Sequence, residues 1–196
     1  MHFLAVLIFS IFIRVLQCRI VGRSPYESED YDIKKFVHTP EPIWTYNTTS
    51  YGNLPCRVDV MHNLTDPFIL FHRSYFFAIT RVTNEMMGAF SPEHDNAMFV
   101  GPQDVVFSTV EQLMYMSING SCGIVMIRPL YGDYDPWFDL RIKNSSTEFG
   151  PDIDCVVRFN EIGQQGQLLY MPDCQKIVRI NRFEPTVNKN DRQFNT

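Results

Sequence analysis

Between residues 43 and 144 the chain is a succession of short runs in which apolar and polar positions alternate. The clearest is WFDLRIKNSS, residues 137–146. Trp137, Asp139, Arg141 and Lys143 fall on one side, and Phe138, Leu140 and Ile142 on the other. A period of two is that of a β-strand. The segments IWTYNTT, CRVDVMHNL, FILFHRSYFFAI, EMMGAF, AMFVG, DVVFSTV, EQLMYMSI, CGIVMIRPL and WFDLRIKN follow one another. Turn formers divide many of them, at Tyr51-Gly-Asn, Thr65-Asp-Pro, Ser91-Pro, Gly101-Pro, Asn119-Gly and Tyr131-Gly-Asp. Such spacing leaves no room for crossover helices and predicts an all-β barrel or sandwich. A short helix is expected over Tyr31 to Val37, and a longer one over residues 152–162, with Asp152 as N-cap and Gly163 as the stop. QLLYMP then returns to the strands, and NKNDRQFNT reads as a loose tail. Strands, one outer helix and a returning segment outline an eight-stranded antiparallel barrel, open at one end and wide enough for one small ligand.

The first residues change that picture. FLAVLIFSIFI, residues 3–13, is apolar but shorter than the roughly 20 residues a membrane-spanning helix needs, and it stands where a secretory leader stands. We therefore divide the chain into a leader over 1–18, a polar approach segment over 19–41, a single barrel domain over 42–183 and a tail over 184–196. Cleavage near Cys18 leaves Cys56, Cys122, Cys155 and Cys174, an even number that reads as two disulfides with three connectivities open. Sequons at Asn47, Asn63, Asn119 and Asn144 agree with export and are expected to carry glycans. Net charge is −5, and −6 without the leader, since 16 Lys and Arg then face 22 Asp and Glu. The signs are interspersed, with no basic stripe for nucleic acid. Neither a Gly-x-Ser-x-Gly elbow, a His-Glu-x-x-His helix nor a metal-spaced Cys/His cluster is present. The expectation is a binding protein without catalytic step, metal or cofactor.

A glycan must point outward, so the sequons calibrate strand parity. Asn47 outward turns Trp44 and Tyr46 inward. Asn63 outward turns Val58, Val60 and His62 inward and leaves Arg57 and Asp59 outside. Asn144 outward turns Trp137, Asp139 and Arg141 into the barrel, with Phe138, Leu140 and Ile142 under the outer helix. Glu111 and Tyr115 share one strand face and join the candidate site, although the Asn119 sequon opposes that placement. Plainer roles stand beside these: Trp44 as a plug at the closed end, Arg141 stacked on it, Asp139 and Arg141 paired with each other. His62 and His72 read as strand residues rather than metal ligands, and the methionines Met86, Met87, Met114, Met116 and Met126 as core. A cationic amine in such a site needs inward carboxylates and aromatic faces, whereas a lipid carboxylate needs Arg or Lys above apolar walls.

PIWTYNTT, CRVDV, FHRSYF, EQLMYMSINGSCGI, WFDLRIKNSS and YMPDCQ together resemble the secreted salivary lipocalins of ticks, the histamine-binding protein family. The resemblance covers roughly residues 40–180. It implies an eight-stranded antiparallel lipocalin barrel with one C-terminal helix packed outside, and disulfides joining Cys56 to Cys174 and Cys122 to Cys155. It also implies a secreted monomer that sequesters a small host mediator. By the family pattern this is most readily a biogenic amine, histamine or serotonin, with a leukotriene or fatty acid as the alternative. A surface that blocks a host protein such as a complement factor is a further one. In amine binders of this family an acid follows the cysteine of the helix and a Glu precedes the last one. This chain has Val156 and Gln167 there.

Overall fold

The computed structural model describes residues 31–162 and 166–180. The leader over 1–18, the stop at Gly163 and the tail over 184–196 lie outside the described residues. Helix α1 (Ile33–Val37) precedes eight strands: β1 (Ile43–Thr48), β2 (Val58–Thr65), β3 (Phe68–Phe77), β4 (Thr80–Phe90), β5 (Ala97–Pro102), β6 (Thr109–Met116), β7 (Cys122–Pro129) and β8 (Trp137–Lys143). Successive strands from β2 to β8 pair antiparallel. β8 then pairs with β1, and β1 with β2 through Ile43↔Asp59 and Trp44↔Val58, so the sheet closes on itself. Helix α2 (Ile153–Glu161), a two-residue strand β9 (Gln167–Leu168) beside β1, and helix α3 (Lys176–Ile180) follow.

Two local expectations are corrected. Helix α1 starts later than Tyr31 because Asp32 caps it, its carboxylate accepting the Lys35 N–H at 3.1 Å. DVVFS is no strand, despite its β-branched residues. Here the chain folds back over Gly101, whose missing Cβ would stand 2.8 Å from the Phe107 backbone, and Val105 and Val106 are exposed.

The walls of the barrel separate two apolar clusters. Inside, Ile33, Phe36 and Val37 of α1 meet Ile43, Ile69, Phe71, Met98, Leu113 and Val125. Helix α1 is held there by the Ile33 N–H donating to the Asp95 carbonyl at 3.0 Å and by the Lys34–Asp66 ion pair at 2.7 Å, so it plugs the end that carries the β2–β3 and β4–β5 turns. A side chain at Gly123 would press within 3.2 Å of the Phe36 ring, so glycine makes room for the plug. Outside, Phe138, Leu140 and Ile142 of β8 pack with Ile124, Trp44, Tyr170, Ile177 and the α2 residues Cys155 and Phe159. Burying each of these large side chains is worth about 1.5–3 kcal/mol. The disulfides are Cys56–Cys174 and Cys122–Cys155. The second ties α2 to β7 beneath this apolar wall; the first ties the segment ahead of α3 to the approach to β2.

Candidate functional site

β8 keeps a regular alternation through its pairing with β7, so its polar side faces the interior as a unit. Asp139 and Arg141 are buried there, and Trp137 packs against the inner cluster. They meet side chains from β1, β2, β3 and β6 and that of Arg57, just ahead of β2. The Arg57 guanidinium donates to Asp139, which also accepts from Arg141 at 3.2 Å and from the Thr48 hydroxyl at 2.7 Å. Arg141 reaches Glu111 at 2.6 Å; Arg73 reaches Glu111 at 3.0 Å and holds Asp59 with two bonds of 2.8 and 2.7 Å. Arg57 is steadied by Thr45 at 2.9 Å. Three guanidiniums and three carboxylates thus form one neutral layer across the barrel. Desolvating each charge costs several kcal/mol, which only this mutual pairing offsets.

Burial would raise the pKa of Glu111, but the guanidiniums of Arg141 and Arg73 outweigh it and hold the carboxyl at about 2, down from 4.5. Arg141 is likewise desolvated, yet Glu111 and Asp139 raise its pKa. Burial lowers that of Arg57, with Asp139 opposing. Glu111 is a depressed acid, so its contribution to stability is complete above 4.5 and is lost as pH falls toward 2. We expect unfolding titrations to show stability declining across that window. In Glu111→Gln the acid limb should be shallower, alongside a lower plateau at neutral pH.

β-Bulges overturn three of the parity assignments. Between Thr45 and Asn47 an extra residue enters β1. Trp44 and Tyr46 therefore lie outside, Trp44 edge-on to Tyr170 at 5.1 Å and Tyr46 stacked on it at 6.0 Å, while Thr45 and Thr48 serve the inner layer. The Trp44 indole N–H donates to Asn144 at 2.9 Å, so neither Trp44 nor Tyr46 forms a ligand wall, and Arg141 does not stack on Trp44. A bulge between Met61 and Asn63 reverses β2: Arg57 and Asp59 point in, while Val58 and Val60 pack on the outer cluster and His62 stacks on His72. A third, between Leu113 and Tyr115, leaves Glu111 inside but turns Tyr115 outward beneath Arg158 of α2. Arg57, Asp59 and Arg73 were missed as site residues. Their signal was available: RVD, HRS and DLR each set charges into an otherwise apolar strand.

The four sequons differ in setting. Asn63 and Asn119 are exposed. Asn47 is half-buried, its side-chain oxygen without a partner and close against Gly166. Asn144 is held by Trp44 and by Gln175 at 2.8 Å.

Between the α1 plug and the charged layer lies a small cavity. Its walls are Val37, Ile43, Met61, Ile69, Phe71 and Met98; its polar groups are Thr39, Glu41, Asp59 and Arg141. Asp59 is bound to Arg73, but Glu41 has no cation beside it among the described residues and only accepts the Ser145 N–H at 2.8 Å. Val156 on α2 and Gln167 on β9, the positions that depart from the amine-binder pattern, do not line this cavity. Gln167 holds the β1–β2 loop through the Ser50 and Gly52 carbonyls. Among the described residues no helix is long and apolar enough to cross a membrane.

No protein-family model and no curated protein sequence matches the chain. Solved structures do. The chain is similar to AM182 in its serotonin complex, with a TM-score of 0.58 and 16% identity over 75% of this chain and 94% of that one. It is similar to japanin from Rhipicephalus appendiculatus bound to cholesterol, with a TM-score of 0.51 and 9% identity over 66% and 91% of the two chains. It is also similar to apocrustacyanin C2, with a TM-score of 0.50 and 10% identity over 70% and 81%. At such identities the likeness is one of fold. The closed antiparallel sheet, the helix on its outer wall and these neighbours together make this an eight-stranded lipocalin barrel.

Proposed function

We propose that this chain is a secreted protein of the tick histamine-binding type that sequesters one small host mediator, a biogenic amine such as histamine or serotonin. The observation that carries the reading is the Glu41 carboxylate, without a cation partner among the described residues, on a largely apolar cavity that also presents Phe71 and the already paired Asp59 and Arg141. A buried ammonium requires a carboxylate partner, and an aromatic face adds attraction. The inner layer balances its own charges, so Glu41 supplies the excess negative charge that favours a cation. Similarity in fold to AM182, solved with serotonin, supports the same reading. The disulfides and the leader-like start support export. The action is stoichiometric, with no bond made or broken.

Titration calorimetry tests it. Glu41→Gln keeps the shape and removes the charge, and should weaken histamine or serotonin binding by about 1.5–3 kcal/mol, roughly tenfold to a hundredfold. Unchanged affinity in the folded variant would remove Glu41 from the site. A lipid mediator is favoured by one other observation: the Trp137 indole N–H and the Arg141 Nε–H are buried without an acceptor. On that reading a fatty acid binds and the amines do not.

A further inference from the structure

We propose that the outer face of β2, β3 and β4 binds one divalent late transition-metal ion, zinc(II) or nickel(II), through His62 and His72 with Glu85 as third ligand. The site is remote in kind from the barrel interior and does not depend on the mediator reading. It is built by the β2 bulge. His72 stands in register with Val60 on one side and Glu85 on the other, and the register shift between Met61 and Asn63 throws His62 onto the same outer face. The two imidazoles come to rest with ring centroids 4.7 Å apart and planes at 29°. His62 and Glu85 are exposed and His72 is half-buried, so an ion reaches all three from solvent.

Two neutral rings held face to face gain little from stacking in water, whereas two imidazoles with a carboxylate form a donor set suited to zinc or nickel. Calcium and magnesium, which take oxygen ligands, do not fit it. Burial, and then the neighbouring His62, lower the pKa of His72, which favours the neutral ring that ligates a metal. Among the described residues no three such side chains already surround a metal position. The rings must therefore turn about χ2, a broad and inexpensive torsion for histidine. Arg81 on β4 is the nearby cation that also lowers the His72 pKa, and its charge opposes the ion, while Glu85 offsets it.

The test is calorimetric titration of the secreted protein with zinc chloride and with nickel chloride at neutral pH. We expect one ion per chain. His62→Ala and His72→Ala should each lower affinity by at least about tenfold, or about 1.4 kcal/mol, and Glu85→Gln by less. Affinity should fall as acid protonates the rings, and Glu41→Gln should leave metal binding unchanged. Circular dichroism checks that each variant is folded, which the surface position of His62 makes straightforward. Failure of the wild-type protein to bind either ion would overturn the proposal, as would binding that survives both histidine substitutions singly in folded protein.

Discussion

Asp139→Ala is expected to lower the stability of the barrel by about 3–5 kcal/mol, the cost of breaking a buried ion pair from one side. Asp139 is fully buried and accepts from Arg57, Arg141 and Thr48. Without it, two buried guanidiniums confront each other in a layer that was neutral. The strand parity set Asp139 among the inward carboxylates that an amine ligand would need. The structure gives it a different task, because its oxygens are already engaged and it does not line the cavity. Denaturant unfolding of wild type and variant measures the loss. A change below about 1 kcal/mol would mean that water or a rearranged partner replaces the carboxylate. Asp139→Asn, which keeps the shape, should recover only part of the stability, since an amide cannot neutralise either arginine.

Removal of the Cys56–Cys174 bridge is the second large effect. The two cysteines are 118 residues apart, and a loop of that order is worth about 4–5 kcal/mol in the chain-entropy account, with about 2–5 kcal/mol the usual loss in small secreted domains. The Cys122–Cys155 bridge spans 33 residues and should count for less. The paired substitution Cys56→Ser with Cys174→Ser should also release the segment around Tyr170, which packs on Trp44 and Tyr46. Thermal unfolding gives the ranking of the two bridges. Hydrogen exchange at Leu169 and Tyr170, whose N–H groups donate to the Tyr46 carbonyl, reports the release. Equal losses from the two bridges would contradict the loop-length ranking.

The fold was legible because its signal is distributed. Nine strand-like segments, the turn formers that divide many of them and a late helix fix a barrel even when DVVFS is misread, because the connection it forms still joins two antiparallel neighbours. β8 was legible to the residue, since its pairing with β7 has no bulge and its apolar face lies against a helix that the sequence also marks. Trp44, Tyr46, His62 and Tyr115 were not. One extra residue in β1, β2 or β6 reverses every side chain beyond it. Nothing in Met61-His62-Asn63 or Met114-Tyr115 distinguishes a bulged strand from a regular one. The sequons were uneven gauges: Asn47 and Asn63 stand at bulges and turned their strands the wrong way, whereas Asn144, just past the end of β8, turned Asp139 and Arg141 inward as the structure does. The ionic layer was half legible. Asp139, Arg141 and Glu111 were placed inside, but Arg57, Asp59 and Arg73 complete their pairing; RVD and HRS mark the charges, yet no local pattern shows that four strands, β2, β3, β6 and β8, balance them against one another.

That neutrality shifts the search for a ligand from the centre of the barrel to the cavity above α1, where Glu41 is the carboxylate without a cation. The most direct measurement is native mass spectrometry of the secreted protein with a panel of histamine, serotonin and fatty acids. The account predicts a one-to-one complex with an amine, retained in wild type and lost in Glu41→Gln. A fatty acid bound in preference to every amine, or a barrel that takes up none of the panel, would contradict it.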